Sequence, residues 1–348
     1  MTRDKQSIRI LSNLHLPQRW ECPGLDGSTI YAESFRELIG NWRHCELVVV
    51  NGIEATRELC ALFSVAPWIR RPLVAVDLVL RRPDSVRSSV KAAVTHQLLR
   101  QVDYFLHYFQ DLSGYQKYFG IPPSCSGYVP FKPNVRYRTE ITPDSDGEYA
   151  LCIGHSMRDY ETFFEAVAGL PYMAAIPAPD FQELQVHRSR FTRSLDAVPK
   201  NVRILPDDKS QDSLLRILRG AKLVVLPILK SSLCASGISL YLDGMLLGKC
   251  VIVSRGPGTS DVLTDQAILV DPEDPSALAN AIRNAWEDDG LRKRTAAAGY
   301  EYAHSLGGEP ELCERILQLA VRWYSQHQSS SRRCDLRDRH TSVEALRS

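Results

Sequence analysis

At 348 residues the chain is long enough for two domains, each with its own core. Apolar residues make up 44% and charged residues 24%, the balance of a soluble globular protein, and a net charge of +1 gives no basic field for nucleic acid. No apolar run approaches the roughly 18 residues of a membrane span, and the N-terminal MTRDKQSIRIL lacks an apolar signal core, so the expected location is the cytoplasm. The nine cysteines form no CxxC pair and several sit inside apolar runs, which predicts buried free thiols.

Along the chain, short β-branched runs at 8–11, 47–51, 73–78, 104–108 and 127–131 alternate with amphipathic stretches at 31–40, 54–64, 86–100 and 111–119. This βα order predicts a parallel sheet covered by helices. The polar, turn-rich PNVRYRTEITPDSDG, 133–147, breaks the periodicity and reads as an interdomain linker. A second series follows, with strands at 149–153, 172–176, 202–205, 223–226, 251–254 and 267–270. Asp274 then caps a helix with Pro275 in its first turn and Leu278, Ala281, Ile282 and Ala285 on one face. A last helix, 310–327, carries Trp323 and Tyr324 and is expected to pack back on the N-terminal domain; the polar 329–348 reads as a disordered tail. The expected organisation is an N-terminal Rossmann-like domain over 1–135, a linker over 136–147, a C-terminal Rossmann-like domain over 148–309, a returning helix over 310–328 and the tail. Such domains bind ligands at the carboxyl ends of their parallel strands, here across a cleft. Neither half has GxGxxG after its first strand, and GKC at 248–250 lacks the Walker spacing, which argues against a dinucleotide enzyme or a P-loop ATPase.

The most informative stretch is ASGISLYLDGMLLGKCVIVS, 235–254. It follows the strand LVVLP and the loop ILKSSLCAS, so a helix begins near Gly237 and ends before the next strand. A helix start after a sheet strand presents free N–H groups, and small residues allow an anion to approach. Ser236, Gly237 and Ile238 are therefore the candidate phosphate seat. Asp243, two turns on, is the candidate acceptor for sugar hydroxyls; on spacing alone a solvent-facing Asp243 remains the alternative.

The stretch from 148 to 305 resembles the donor half of GT-B glycosyltransferases, most closely family 4, the group 1 transferases. The family's Glu-Ala-Met element is matched by Asp243-Gly244-Met245, and its Gly-Lys-Pro-Val-Ile strand by Gly248-Lys249-Cys250-Val251-Ile252. CIGHSMRDYETFFEAVAGL resembles the first donor-domain strand with its glycine, Gly154, and following basic residue. The resemblance implies two Rossmann-like domains facing across a cleft and a nucleotide-sugar donor held by the C-terminal one. Arg158 matches the basic residue that meets the donor diphosphate, with Gly154 and His155 in the same loop; Asp243 matches the carboxylate that holds donor ribose. NVRILPDDKSQDSLLRILRG resembles the segment framing the base. No metal or cofactor is implied, since basic groups and helix dipoles neutralise the diphosphate in this class. Retention of anomeric configuration is implied by the resemblance alone.

There are departures. The first of the family's paired glutamates falls on Ala235, and the acceptor-domain histidine falls on Asp77, a candidate base or hydroxyl-orienting group. The family's N-terminal glycine loop is best matched by ECPGLDGST, with Gly24 and Gly27. The expected function is transfer of a sugar from a nucleotide-sugar donor to a glycan, lipid-linked or small-molecule acceptor. Ala235 and Asp77 keep a catalytically impaired nucleotide-sugar-binding protein open, and a GT-B-like sugar-nucleotide epimerase is the third reading. RSRFTR and RRPDSVR read as solvated charge or as a weak peripheral contact with anionic lipid.

Overall fold

The computed structural model of the protein describes residues 6–135 and 147–328, and divides into two compact units. Most of the expected linker, 136–146, and the expected tail lie outside the described residues. The first unit runs to Val129, apart from 109–111, and includes the chain from Cys313 onward; the second comprises Phe109–Asp111 and Pro130–Leu312. Among the described residues no helix is long and apolar enough to cross a membrane.

The first unit contains β1 (Gln6–Ser12), β2 (Arg19–Cys22), β3 (Leu25–Tyr31), α1 (Phe35–Asn41), β4 (Leu47–Asn51), α2 (Ile53–Val65), β5 (Leu73–Val76), α3 (Val86–Leu99), β6 (Tyr104–His107), α4 (Ser113–Phe119) and β7 (Ser126–Tyr128). Its sheet has the order β2-β3-β1-β4-β5-β6-β7, parallel except where β2 pairs antiparallel with β3. The central strands were legible because they are apolar throughout: all four residues of β5 are buried, as expected of a strand covered on both faces.

The stretch ECPGLDGST is a correction. It is not a ligand loop but the turn of a β-hairpin, with Cys22 opposite Leu25 and Trp20 opposite Gly27. A Cβ on Gly27 would lie 2.0 Å from the Ile8 carbonyl oxygen and 2.6 Å from the Trp20 ring. Glycine is needed there for packing, and its side of the sheet is filled by tryptophan.

The second unit contains β8 (Tyr149–Cys152), α5 (Tyr160–Ala168), β9 (Ala174–Pro177), α6 (Phe181–Val186), β10 (Val202–Leu205), α7 (Gln211–Arg219), β11 (Ala221–Leu226), α8 (Ile238–Leu246), β12 (Cys250–Ser254), β13 (Ile268–Val270), α9 (Pro275–Glu287), α10 (Asp289–Ser305) and the start of α11 (Glu309–Gln328). The sheet is wholly parallel, in the order β10-β9-β8-β11-β12-β13. This doubly wound order reverses at β8/β11, the place where such sheets bind ligands. β12 is buried along its whole length, whereas β10 at the edge is half-exposed. The Asp274 side chain accepts from the Ala277 N–H at 2.9 Å, and Leu278, Ile282 and Ala285 are buried, with Ala281 less so.

α11 begins in the second unit and belongs to the first from Cys313. There Ile316, Leu317, Ala320, Val321 and Tyr324 are buried at helical spacing, and the Trp323 ring stacks on Tyr104 of β6. Cys22, Cys45, Cys60, Cys152, Cys250 and Cys313 are buried free thiols, while Cys234 is only partly covered. Cys125 departs from the expectation, being disulfide-bonded.

Candidate functional site

At the carboxyl ends of β8, β9 and β11 the second unit holds a pocket of about 670 Å³. The β8–α5 connection supplies Gly154, His155, Ser156 and Arg158; β9 leads to Pro177–Asp180; the loop before α7 gives Asp207, Lys209 and Ser210, and α7 itself Gln211; the start of α8 gives Gly237, Ser239 and Leu240, and its middle Asp243. Asn134 and Val135, inside the stretch read as linker, form another part of the wall.

Arg158 dominates this pocket. Its side chain is fully buried, yet its Nε and Nη1 have no hydrogen-bond partner among the described residues. Burial pulls its pKa down, but a guanidinium stays charged in proteins. A buried, unneutralised cation costs several kcal/mol unless an anion joins it. Two glycines make room around it. Gly154 has φ +110 and Gly237 φ +83, and a Cβ on either would come within 2.6 and 2.9 Å of Nη2, respectively.

Gly237 also opens α8. Ile238 N–H donates to the Ala235 carbonyl, but the N–H groups of Ser239 and Leu240 precede the first intrahelical acceptor. Those donors and the helix dipole reinforce the positive character that Arg158 creates. Its sequence neighbour Asp159 does not pair with it. Asp159 is buried and held instead by the Arg190 fork, Nε to Oδ1 at 2.8 Å and Nη2 to Oδ2 at 2.6 Å.

Arg158 is fixed through its backbone. Its N–H donates to Ser189 Oγ at 2.9 Å and its carbonyl accepts from the Arg190 N–H at 2.8 Å. Ser189 Oγ donates in turn to the His155 carbonyl. Thus SRFTR is a brace behind the pocket and not solvated charge: Arg193 binds Glu161 through two nitrogens and lies over the Phe164 ring. The sequence signal was weak, because arginines spaced three apart read equally well as a solvated face.

Asp243 lines the pocket and is 99% buried, so it does not face solvent. Its Oδ1 accepts from the backbone N–H groups of Asn134 at 2.6 Å and Val135 at 2.8 Å. Burial pushes its carboxyl up to about 6, against the lowering effect of those two bonds. No other hydrogen bond to its carboxylate is made among the described residues, leaving Oδ2 for a ligand.

Two seat residues fall elsewhere. Ser236 is buried, its hydroxyl 2.8 Å from Ser232 Oγ, and it does not line the pocket. Ile238 packs into the hydrophobic core, and Ser239 and Leu240 take the places at the helix start. His155 is exposed at the mouth, its pKa lowered by partial burial. Asp77 belongs to the first unit, following β5 with φ +50, and burial pushes its carboxyl up to about 6. Ala235 is packed on the loop after β12: a Cβ on Gly258 would lie 2.3 Å from the Ala235 Cβ.

Residues 195–302 match the sequence model for glycosyl transferases group 1. No curated protein matches the chain in sequence. Among solved structures, sucrose-phosphate synthase from Thermosynechococcus elongatus is 14% identical, with 92% of this chain and 89% of that one covered at a TM-score of 0.59. Anabaena Alr3699/HepE in complex with UDP is 14% identical over 87% of each chain, at 0.57. The α,α-trehalose 6-phosphate synthase of Burkholderia multivorans is 13% identical, covering 94% and 98%, at 0.56. The fold is thus GT-B, two Rossmann-like domains, and the enzyme class is glycosyl transfer. The matched residues take in α8 and the loop on Ala235 but begin after Arg158, so the transferase family and the unneutralised guanidinium are independent observations.

Proposed function

We propose that this glycosyltransferase takes a nucleotide-sugar donor into the pocket of the second unit and transfers the sugar with retention of configuration. The observation that carries the reading is the buried, unneutralised Arg158 between Gly154 and Gly237 at the start of α8. A diphosphate supplies the missing anion. Charge that develops on the leaving diphosphate strengthens its bonds to Arg158 and to the helix-start N–H groups, which lowers the barrier without a proton transfer. Asp243 Oδ2 accepts from the donor ribose while Oδ1 keeps Asn134 and Val135 in place. Asp77, half-buried and with its carboxyl pushed up to about 6, is the proposed acceptor-orienting base. Known structures of this fold include UDP complexes, such as that of Anabaena HepE, which supports a nucleotide-sugar partner. No resident metal or cofactor is part of this proposal.

The test is incubation with UDP-, GDP- and ADP-sugars, with and without a lipid and glycan extract, followed by mass spectrometry. Acceptor-dependent release of nucleoside diphosphate is expected, and its loss in Arg158→Ala. The second reading, a binding protein with impaired turnover, is favoured by Ala235, whose missing carboxylate is replaced by close packing on Gly258. Tight nucleotide binding with no sugar transfer to any acceptor would select it.

For a lipid-linked acceptor, we place the weak membrane contact on α3. Val86, Val90 and Val94 are 84%, 59% and 52% exposed along one stripe, flanked by exposed Arg87 and Lys91. Cosedimentation with anionic vesicles, lost in Val90→Asp, checks this; equal binding to neutral vesicles would refute the electrostatic part. The internal pairs of Arg190 and Arg193 favour α3 over RSRFTR for that role.

A further inference from the structure

Residues 158 and 159 are consecutive, fully buried and opposite in charge. They are treated differently by their surroundings. Asp159 caps α5, accepting from the Thr162 N–H at 3.1 Å and the Thr162 hydroxyl at 2.8 Å. The Arg190 fork takes both carboxylate oxygens, and its Nη2 also reaches Thr162 Oγ1 at 3.0 Å. Arg158 receives no carboxylate among the described residues. A buried Asp159 without a cation would place a negative charge one residue from the guanidinium, in a medium where charges are poorly screened. It would oppose any anion arriving at Arg158.

We infer that Arg190 is a positioning residue that sorts these charges: by neutralising Asp159 it leaves the full positive charge of Arg158 for the donor diphosphate. Arg190 does not line the pocket. Its side chain lies outside, 40% exposed, and acts through Asp159. Its backbone adds a second constraint, since the Arg190 N–H donates to the Arg158 carbonyl and its own carbonyl accepts from the Tyr160 N–H. The inference rests on the reading that Arg158 binds the diphosphate, and the experiment separates the two.

Binding of UDP, GDP and ADP is measured by calorimetry, and the tightest is carried forward. Arg158→Ala is the control for the site: unchanged affinity there overturns the site reading itself. With that loss established, Arg190→Met should bind at least tenfold more weakly than the wild type. The double variant Asp159→Asn with Arg190→Met should return to within about threefold, because the asparagine still caps α5 and no buried negative charge remains beside Arg158. Arg190→Lys, which keeps the charge but not the fork, should also stay within about threefold. A structural role for the fork predicts the opposite: the double variant, lacking every Arg190 contact, would be as weak as the single one. That result, or unchanged binding in Arg190→Met, overturns the inference. Where Arg190→Met does not fold, as circular dichroism would reveal, the double variant decides alone.

Discussion

Replacing Asp243 by asparagine should raise the stability of the protein and lower its affinity for donor. The side chain is almost wholly buried, and its carboxyl is pushed up to about 6 by burial. Against an ordinary value of about 3.9, that difference corresponds to about 3 kcal/mol at full ionisation. A carboxyl whose folded pKa lies above its unfolded value contributes stability below pH 4, and loses it as the pH rises through 6. At pH 8 the wild type therefore carries the whole cost of the buried charge, and the amide carries none. Asparagine keeps an oxygen for the Asn134 and Val135 N–H groups, so the two bonds to Oδ1 survive, though weaker without the charge. Subtracting about 1 kcal/mol for that weakening leaves a net gain of about 1–2 kcal/mol at pH 8. For a unit of this size that is about 2–8 °C in melting temperature. The gain should vanish towards pH 4. Donor affinity should fall by about 1–2 kcal/mol, because the ribose loses a charged acceptor, and a 2′,3′-dideoxy nucleotide should feel the substitution less. Thermal melts from pH 4 to 8, with calorimetry at pH 8, check both halves. A pH-independent loss of stability would refute the assigned cost of burial. Equal losses for ribose and dideoxyribose nucleotides would refute the ribose contact.

Arg158→Met should weaken nucleoside-diphosphate binding by about 1.5–3 kcal/mol in calorimetry, without lowering the melting temperature, since it removes an unneutralised buried charge. Ala235→Glu, which restores the family residue, should not raise turnover and should destabilise the fold by about 1–3 kcal/mol, because Gly258 occupies the space. Burial pulls His107 down to about 4, so in the wild type the stability present above pH 6.5 is lost as the pH falls towards 4; His107→Gln should flatten that acid loss by about 3 kcal/mol in urea titrations.

Much of the fold could be read from the chain alone. The strands Leu47–Asn51 and Val202–Leu205 begin and end where the β-branched runs do, and Asp274 with Pro275 starts its helix as expected. These features are local: burial on both faces of a strand, or a side chain reaching an N–H three residues on, is written within a few positions of sequence. Gly237 was legible for the same reason, since a left-handed start to a helix needs glycine. The hairpin around Gly24 was missed because its Gly27 answers to Trp20 and Ile8, on two other strands.

At the site the division is sharper. The resemblance to group 1 transferases made Arg158 a candidate, and the place of Asp243 after a small-residue helix start together with that resemblance made it another, because a guanidinium suits a phosphate and a carboxylate suits a sugar hydroxyl. Tertiary structure alone decided which charges are free. Asp159 could have taken Arg158, its neighbour, but took Arg190 across 31 residues. Asp243 could have faced solvent, but captured backbone donors 108 and 109 residues away. A charge has no periodicity to reveal its partner, and proximity in space depends on how the sheet's connections return. Pairing therefore appears only when the chain is folded, and with it the distinction between a paired arginine that positions and an unpaired one that binds.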